Sequence, residues 1–208
     1  MTRVFFASEG ESEFIILPTL VPSVRATPEV VSSGMARVQC QPDGPPLHIA
    51  KAATASLKIA SVKRADLFVL ILDREQRADL PGSIAARVEA AIEAAGPWPF
   101  DVRVVIKDRT LENWLIADLA ALRQQRARFT VTDAMARQVE PDKADRVDAM
   151  RLLQTATNGR TYDKKVDGKN IAQRMDLDRA ASNSRSLRHL LHVLNHDRYH
   201  DQCRRPAS

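Results

Sequence analysis

The chain is poor in cysteine: its 208 residues hold two, Cys40 and Cys203. Two thiols so far apart do not make a disulfide framework, and they fit a reducing compartment. Long apolar runs are also missing. No stretch approaches the roughly 18–20 residues that a membrane-spanning helix needs. The opening MTRVFFASEGESEF has only a short apolar segment, runs at once into three carboxylates and offers no small-residue cleavage site. A signal peptide is therefore not expected, and a cytoplasmic location is. Two catalytic signatures are lacking as well. Without GxxxxGK[ST], intrinsic phosphate-loop ATPase activity is not expected. Without GxSxG, a serine hydrolase is disfavoured. There is no internal repeat and no low-complexity tract.

What is present is ordinary globular material, 44% apolar and 27% charged, enough to bury a core. The charge is unevenly spread. Residues 1–104 carry 11 Lys+Arg and 12 Asp+Glu, whereas residues 105–208 carry 20 and 14. A near-neutral front half and a basic back half suit a core joined to a polyanion-binding extension, although a solvated helical surface has the same balance.

The apolar runs give the order of elements. Val4–Ala7 reads as a buried strand and Ser12–Leu20 as a helix. Residues 21–46 hold five prolines and read as irregular, with a short strand at Ala36–Cys40. Ile49–Val62 reads as a helix. Leu67–Leu72 is an unbroken apolar strand, the pattern of burial on both faces in a parallel sheet. A helix entered at Pro81 ends near Ala95, Val102–Ile106 is a strand, and Leu111–Arg126 is a helix. Alternating strands and helices predict a Rossmann-like α/β core over residues 1–125, with a mostly parallel sheet flanked by helices. Residues 126–208 read as a helical extension packed on it, with helices at 132–139, 142–156, 168–181 and 184–199. Asn158-Gly159 and Asp167-Gly168 read as turns.

In such a sheet ligands bind beyond the carboxyl ends of the strands. There each clear strand meets acid: Glu9, Glu11 and Glu13 after the first, Asp73 and Glu75 after the apolar strand, Asp108 and Glu112 after the last. Crowded carboxylates repel, and a divalent cation such as Mg²⁺ relieves them, taking oxygen ligands from protein and phosphate together. Asp73-x-Glu75 suits this, since residues two apart on an extended segment point the same way. Each acid also has a plain structural explanation. Ser8-Glu9-Gly10-Glu11 matches a capping box, and Glu112 sits in a first helical turn after a Thr110 cap.

These strings resemble a known family. Strand, Glu9-Gly10-Glu11-Ser12-Glu13, then strand with Asp73-Arg74-Glu75 is similar to the Toprim domain of topoisomerases, primases and small nucleases. More narrowly, those residues resemble the Toprim-like domain-of-unknown-function family 4276. So do Glu112-Asn113-Trp114-Leu115-Ile116-Ala117-Asp118 and, more loosely, Ala181-Ser182-Asn183-Ser184-Arg185-Ser186-Leu187. The resemblance covers most of the chain. It implies a general acid/base at Glu9 and Mg²⁺ (or Mn²⁺) ligands at Asp73 and at Glu75, which stands where a second Asp is usual. Glu13 and Glu112, with Glu9, would complete the cluster. It implies a nuclease cleaving DNA or RNA, and an ATPase partner in antiphage defence.

The alternatives are a non-catalytic binding or scaffold module partnered with an ATPase, and a nucleotide phosphohydrolase on the same edge. A homo-oligomer is compatible with the sequence. Lys164, Lys165 and Lys169, near Arg160, read as a phosphate-contacting loop or a solvated turn. Trp114 reads as core. His189, His192, His196 and His200, with Cys203 beyond, form a row opposite the leucines of the last helix. They have zinc-ligating spacing, but without acid partners they read first as a polar face.

Overall fold

The structure, a computed structural model, describes residues 1–75 and 77–201. Four strands form one sheet: β1 (Thr2–Ser8), β2 (Val30–Arg37), β3 (Leu67–Asp73) and β4 (Asp101–Lys107). All pairings are parallel, in the order β2-β1-β3-β4. Helices join the strands: α1 (Glu13–Leu20), α2 (Pro46–Val62) and α3 (Pro81–Ala94). After β4 come α4 (Leu111–Ile116), α5 (Leu119–Arg123), α6 (Asp133–Val139), α7 (Ala149–Ala156), α8 (Val166–Ala172), α9 (Leu177–Asn183) and α10 (Arg185–Val193). The fold is the expected α/β arrangement of a parallel sheet flanked by helices. From β1 the chain moves one way to β2, then crosses back to β3 and β4. The order therefore reverses between β1 and β3, and at such a point open α/β sheets form their ligand crevice.

Side-chain alternation divides the strands between two cores. Phe5, Ala7, Phe68, Leu70, Leu72, Val102, Val104 and Ile106 face α2 and α3. Val4, Phe6, Val69, Ile71 and Val105 face the other way, into a cluster with α1, α4 and the later helices. Leu153, Ile171 and Leu187 are part of that second cluster. The helices after residue 126 thus join α1, α4 and α5 in one core on this face of the sheet. Among the described residues no helix is long and apolar enough to cross a membrane.

Several boundaries differ from those expected. The strand placed at Ala36–Cys40 is β2, six residues earlier at its start. It is an edge strand with polar and small residues, Ser32-Ser33-Gly34, so hydropathy hides it. Gly34 sits at a register shift against β1, where a Cβ would come within 2.8 Å of the Phe5 ring. The helix expected over Leu111–Arg126 is two, broken at Asp118, whose side chain caps α5 by accepting from Ala120 N–H. The span 142–156 is a 3₁₀ turn (Ala144–Arg146) followed by α7, capped by Asp148. The span 168–181 is α8 and α9, with Asp167-Gly168 inside α8 rather than in a turn. The last helix stops at Val193 instead of 199, and Asn195 takes a left-handed φ of 55°.

That early stop dissolves the histidine row. His196 leaves the helix and is buried, forming an isolated bridge with Ala26, whereas His200 is exposed. Cys203 lies outside the described residues.

Candidate functional site

The crevice between β1 and β3 is built by strand alternation. Asp73 shares the face of Val69 and Ile71, and Lys107 shares the face of Val105. Asp73 and Lys107 are register partners at the ends of β3 and β4. Both therefore point toward α1, whose first residue is Glu13. Lys107 Nζ lies 2.8 Å from Asp73 Oδ1 and forms a second, very short ion pair with Glu13 Oε1. Glu9, just past β1, completes the group: the Asp73 N–H donates to Glu9 Oε1 at 2.9 Å. Arg37, at the end of β2, holds the Glu9 main-chain carbonyl at 3.1 Å. Residues remote in sequence are thus gathered at the C-terminal ends of all four strands.

Burial governs the charges. Lys107 is 1% exposed and Glu13 is 3% exposed. Burial alone would strip Lys107 of its proton, but Glu13, Asp73 and Glu9 outweigh it and hold the ammonium firmly charged. Burial pushes the Glu9 carboxyl up to about 6; Lys107 pulls it down, while Asp73 and Glu13 push it further up. Burial likewise raises Asp73, against the pull of Lys107. Gly10 has a reason here: a methyl group on it would collide with the Glu13 carboxylate, which Lys107 pins in place.

The other expected residues surround this group. Glu112 is buried on α4 and pairs with Lys164 Nζ at 3.6 Å. Lys165 pairs with Glu11 at 3.1 Å. The lysine loop therefore lies against the acidic edge, while Lys169 is exposed on α8. Glu75 stands apart. The chain leaves the extended conformation after Asp73, and Glu75 has a left-handed φ of 55° and is exposed. The same-side geometry expected of an extended Asp73-x-Glu75 is thus lost. Glu75 lines a cleft instead, although its charge still raises the Asp73 carboxyl. The capping box expected from Ser8 is not formed, because Ser8 is the last residue of β1. The Thr110 cap is formed, with Asn113 as its partner.

Most of the Glu112–Asp118 string is scaffold. Asn113 donates to Ala144 O at 2.7 Å and Val147 O at 3.0 Å. The Trp114 indole N–H donates to Ser186 Oγ at 2.7 Å in the core, as expected for a core tryptophan. Asp118, fully buried, takes a two-pronged contact from Arg179. The Ala181–Leu187 string supplies partners to this region: Asn183 donates to Ala117 O, and Ser184 and Ser186 bond the half-buried Asp145.

Two features had no place in the expected site. Lys107 had a faint signal, a charge directly after the apolar run 104–106, in alternation with the buried Val105. The second is a cleft of about 820 Å³ at the ends of β3 and β4, rich in arginine. Its walls come from four distant segments, and no local pattern announces it. Among the described residues no three histidine, cysteine or carboxylate side chains are arranged to hold a metal ion. A family model described as a domain of unknown function (DUF4276) matches residues 8–195. No curated protein and no solved structure matches the chain.

Proposed function

The chain belongs to the DUF4276 family, a domain of unknown function, and from that membership and the crevice we propose a Toprim-like, Mg²⁺-dependent nuclease acting on DNA or RNA. The observation that carries this reading is the meeting of Glu9 and Asp73 at the point where strand order reverses. Their chemistry fits a hard dication. Both carboxyls are raised by burial and by neighbouring carboxylates, Glu9 by Asp73 and Glu13, and Asp73 by Glu13 and Glu75, the repulsion that a bound cation relieves. Mg²⁺ needs only one or two carboxylates when water and substrate phosphate complete its shell. Glu9 and Asp73 would hold it, with Glu75 approaching from the cleft and Glu13 and Glu112 behind. When bound, the cation supplies charge stabilisation at a phosphoryl oxygen and orients water.

The chain's own residues do the rest. Glu9, titrating near 6, is placed to exchange a proton with an attacking water or leaving oxygen near neutral pH. Lys107 fixes the Asp73 carboxylate and balances Glu13. Lys164 and Lys165, with Lys169 beyond, add positive charge beside the acids. A cytoplasmic setting, an ATPase partner and a role in antiphage defence belong to the same proposal and rest on the family resemblance.

One observation favours a second reading, a binding or scaffold module without cleavage. The Lys107 ammonium already contacts both Glu13 and Asp73, so each has a cationic partner without a metal. The test is purified protein with Mg²⁺ or Mn²⁺ on labelled DNA and RNA, beside Asp73→Ala. Metal-dependent cleavage that disappears in the variant supports the nuclease. Cleavage that survives in the variant overturns the site. Absence of both cleavage and a metal-binding heat in calorimetry leaves the scaffold.

A further inference from the structure

One side of the crevice already holds a cation. Lys107 is buried, and its Nζ contacts Asp73 Oδ1 at 2.8 Å and Glu13 Oε1 more closely. Asp73 Oδ1 is sealed from solvent, so the open 20% of that side chain lies away from the ammonium. Glu13 is as dry as its partner, and its Oε2 lies against Gly10. A second cation beside Nζ would meet like charge at close range, in an interior that screens it poorly. The Lys107 side is therefore closed.

The other side is open. Glu9 is half-buried and spends Oε1 on the Asp73 N–H. Among the described residues, Glu9 Oε2 and Asp73 Oδ2 accept no hydrogen bond and form no ion pair. Arg37 and Arg77 donate to the main-chain carbonyls of Glu9 and Asp73 rather than to their carboxylates. Two acidic oxygens are what Mg²⁺ takes from a protein when water and phosphate fill its other positions. The charges agree with this. Three carboxylates, Glu9, Glu13 and Asp73, meet one ammonium, and the two negative charges left over match one dication. Glu112 is paired with Lys164, and Glu75 has turned out to the cleft.

Enzymes that cut phosphodiesters commonly clamp two dications about 3.5–4 Å apart. We infer that this crevice takes only one, and that the Lys107 ammonium fills the place of the other, with Asp73 shared between ammonium and dication. Lys107 is then a positioning residue: it turns Asp73 Oδ2 toward the open side without touching substrate. The inference rests on the metal-site reading above and fixes its stoichiometry.

The test counts ions on the full chain. Calorimetry and electron paramagnetic resonance with Mn²⁺, in the absence of nucleic acid, should give one ion per chain and no coupling between Mn²⁺ centres. Lys107→Met frees the closed side and should take two ions, with spin coupling between them. Each bound ion should raise the melting temperature by about 5–10 °C at a hundredfold excess over its Kd, so Mn²⁺ should shift the variant about twice as far as the parent. Where Lys107→Met does not fold, Lys107→Gln replaces it, since its neutral amide still hydrogen-bonds to carboxylates. Two coupled ions in the parent, or a single ion in the folded variant, overturn the inference and leave the nuclease reading in place. One ion in the parent and two in the variant, without cleavage of DNA or RNA, uphold the inference and remove the nuclease. No ion bound to the parent removes both.

Discussion

The segments Glu9–Glu13 and Glu112–Asp118 look alike as sequence: each follows a strand, opens with an acid and ends with one. The fold uses them in opposite ways. In the first, Glu9 and Glu13 turn toward Lys107 and Asp73. In the second, Asn113, Trp114 and Asp118 are spent on binding the later helices to the sheet. Only Glu112 faces the lysine loop. The difference shows that two strings alike in their acids need not both be reactive. Four side chains and carbonyls of the second each meet a partner tens of residues away.

The contrast can be broken most forcefully at Lys107. Lys107→Met leaves the buried Glu13 and the half-buried Asp73 without a counter-charge and should cost about 3–5 kcal/mol in urea denaturation. Its pH dependence has a definite sign. Carboxyls forced upward in the folded state contribute stability below their unfolded pKa and lose it as pH rises through the folded value. The variant should thus be more stable at pH 5 than at pH 8. In the scaffold segment, Asp118→Ala removes the partner of Arg179, Ala120 N–H and Asp176 N–H. It should cost about 2–3 kcal/mol, measured by thermal melting, while any cleavage per folded molecule stays unchanged. Loss of activity without loss of stability would place Asp118 in the site instead.

Gly10→Ala should be milder, about 1 kcal/mol as a crowding effect on Glu13, but with reduced metal-dependent activity. Equal activity would mean that Glu13 is dispensable. The smallest effect sharpens the comparison without altering the fold. In carbon-detected NMR of the metal-free protein, Glu9 should titrate near 6. Asp73→Asn, by removing a like charge, should move that midpoint downward.

How much was legible follows from the kind of interaction. The acids at the strand ends could be found because apolar strands are conspicuous and chemistry collects at their C-terminal ends. β2 was misplaced because an edge strand with Ser32, Ser33 and Gly34 needs a partner on one side only and carries a weak apolar signal. Glu75 was expected to point with Asp73 because extended geometry was assumed for one residue too many. The helical breaks at Asp118 and Asn195 were missed because a side-chain cap and a single left-handed residue leave the apolar period intact.

By itself the sequence determined the layering. Apolar runs of period two or none must be buried as strands, amphipathic stretches must cover them, and the acids that interrupt each run must fall at its end. Tertiary structure alone decided which charges meet. Alternation along β3 and β4 sets Asp73 and Lys107 on the face of α1, and parallel register brings them level with Glu13. Whether a carboxylate is a ligand, a cap or a counter-ion depends on distances of a few ångströms between residues up to 94 positions apart, and electrostatic energy in a low-dielectric interior is set by those distances rather than by order along the chain.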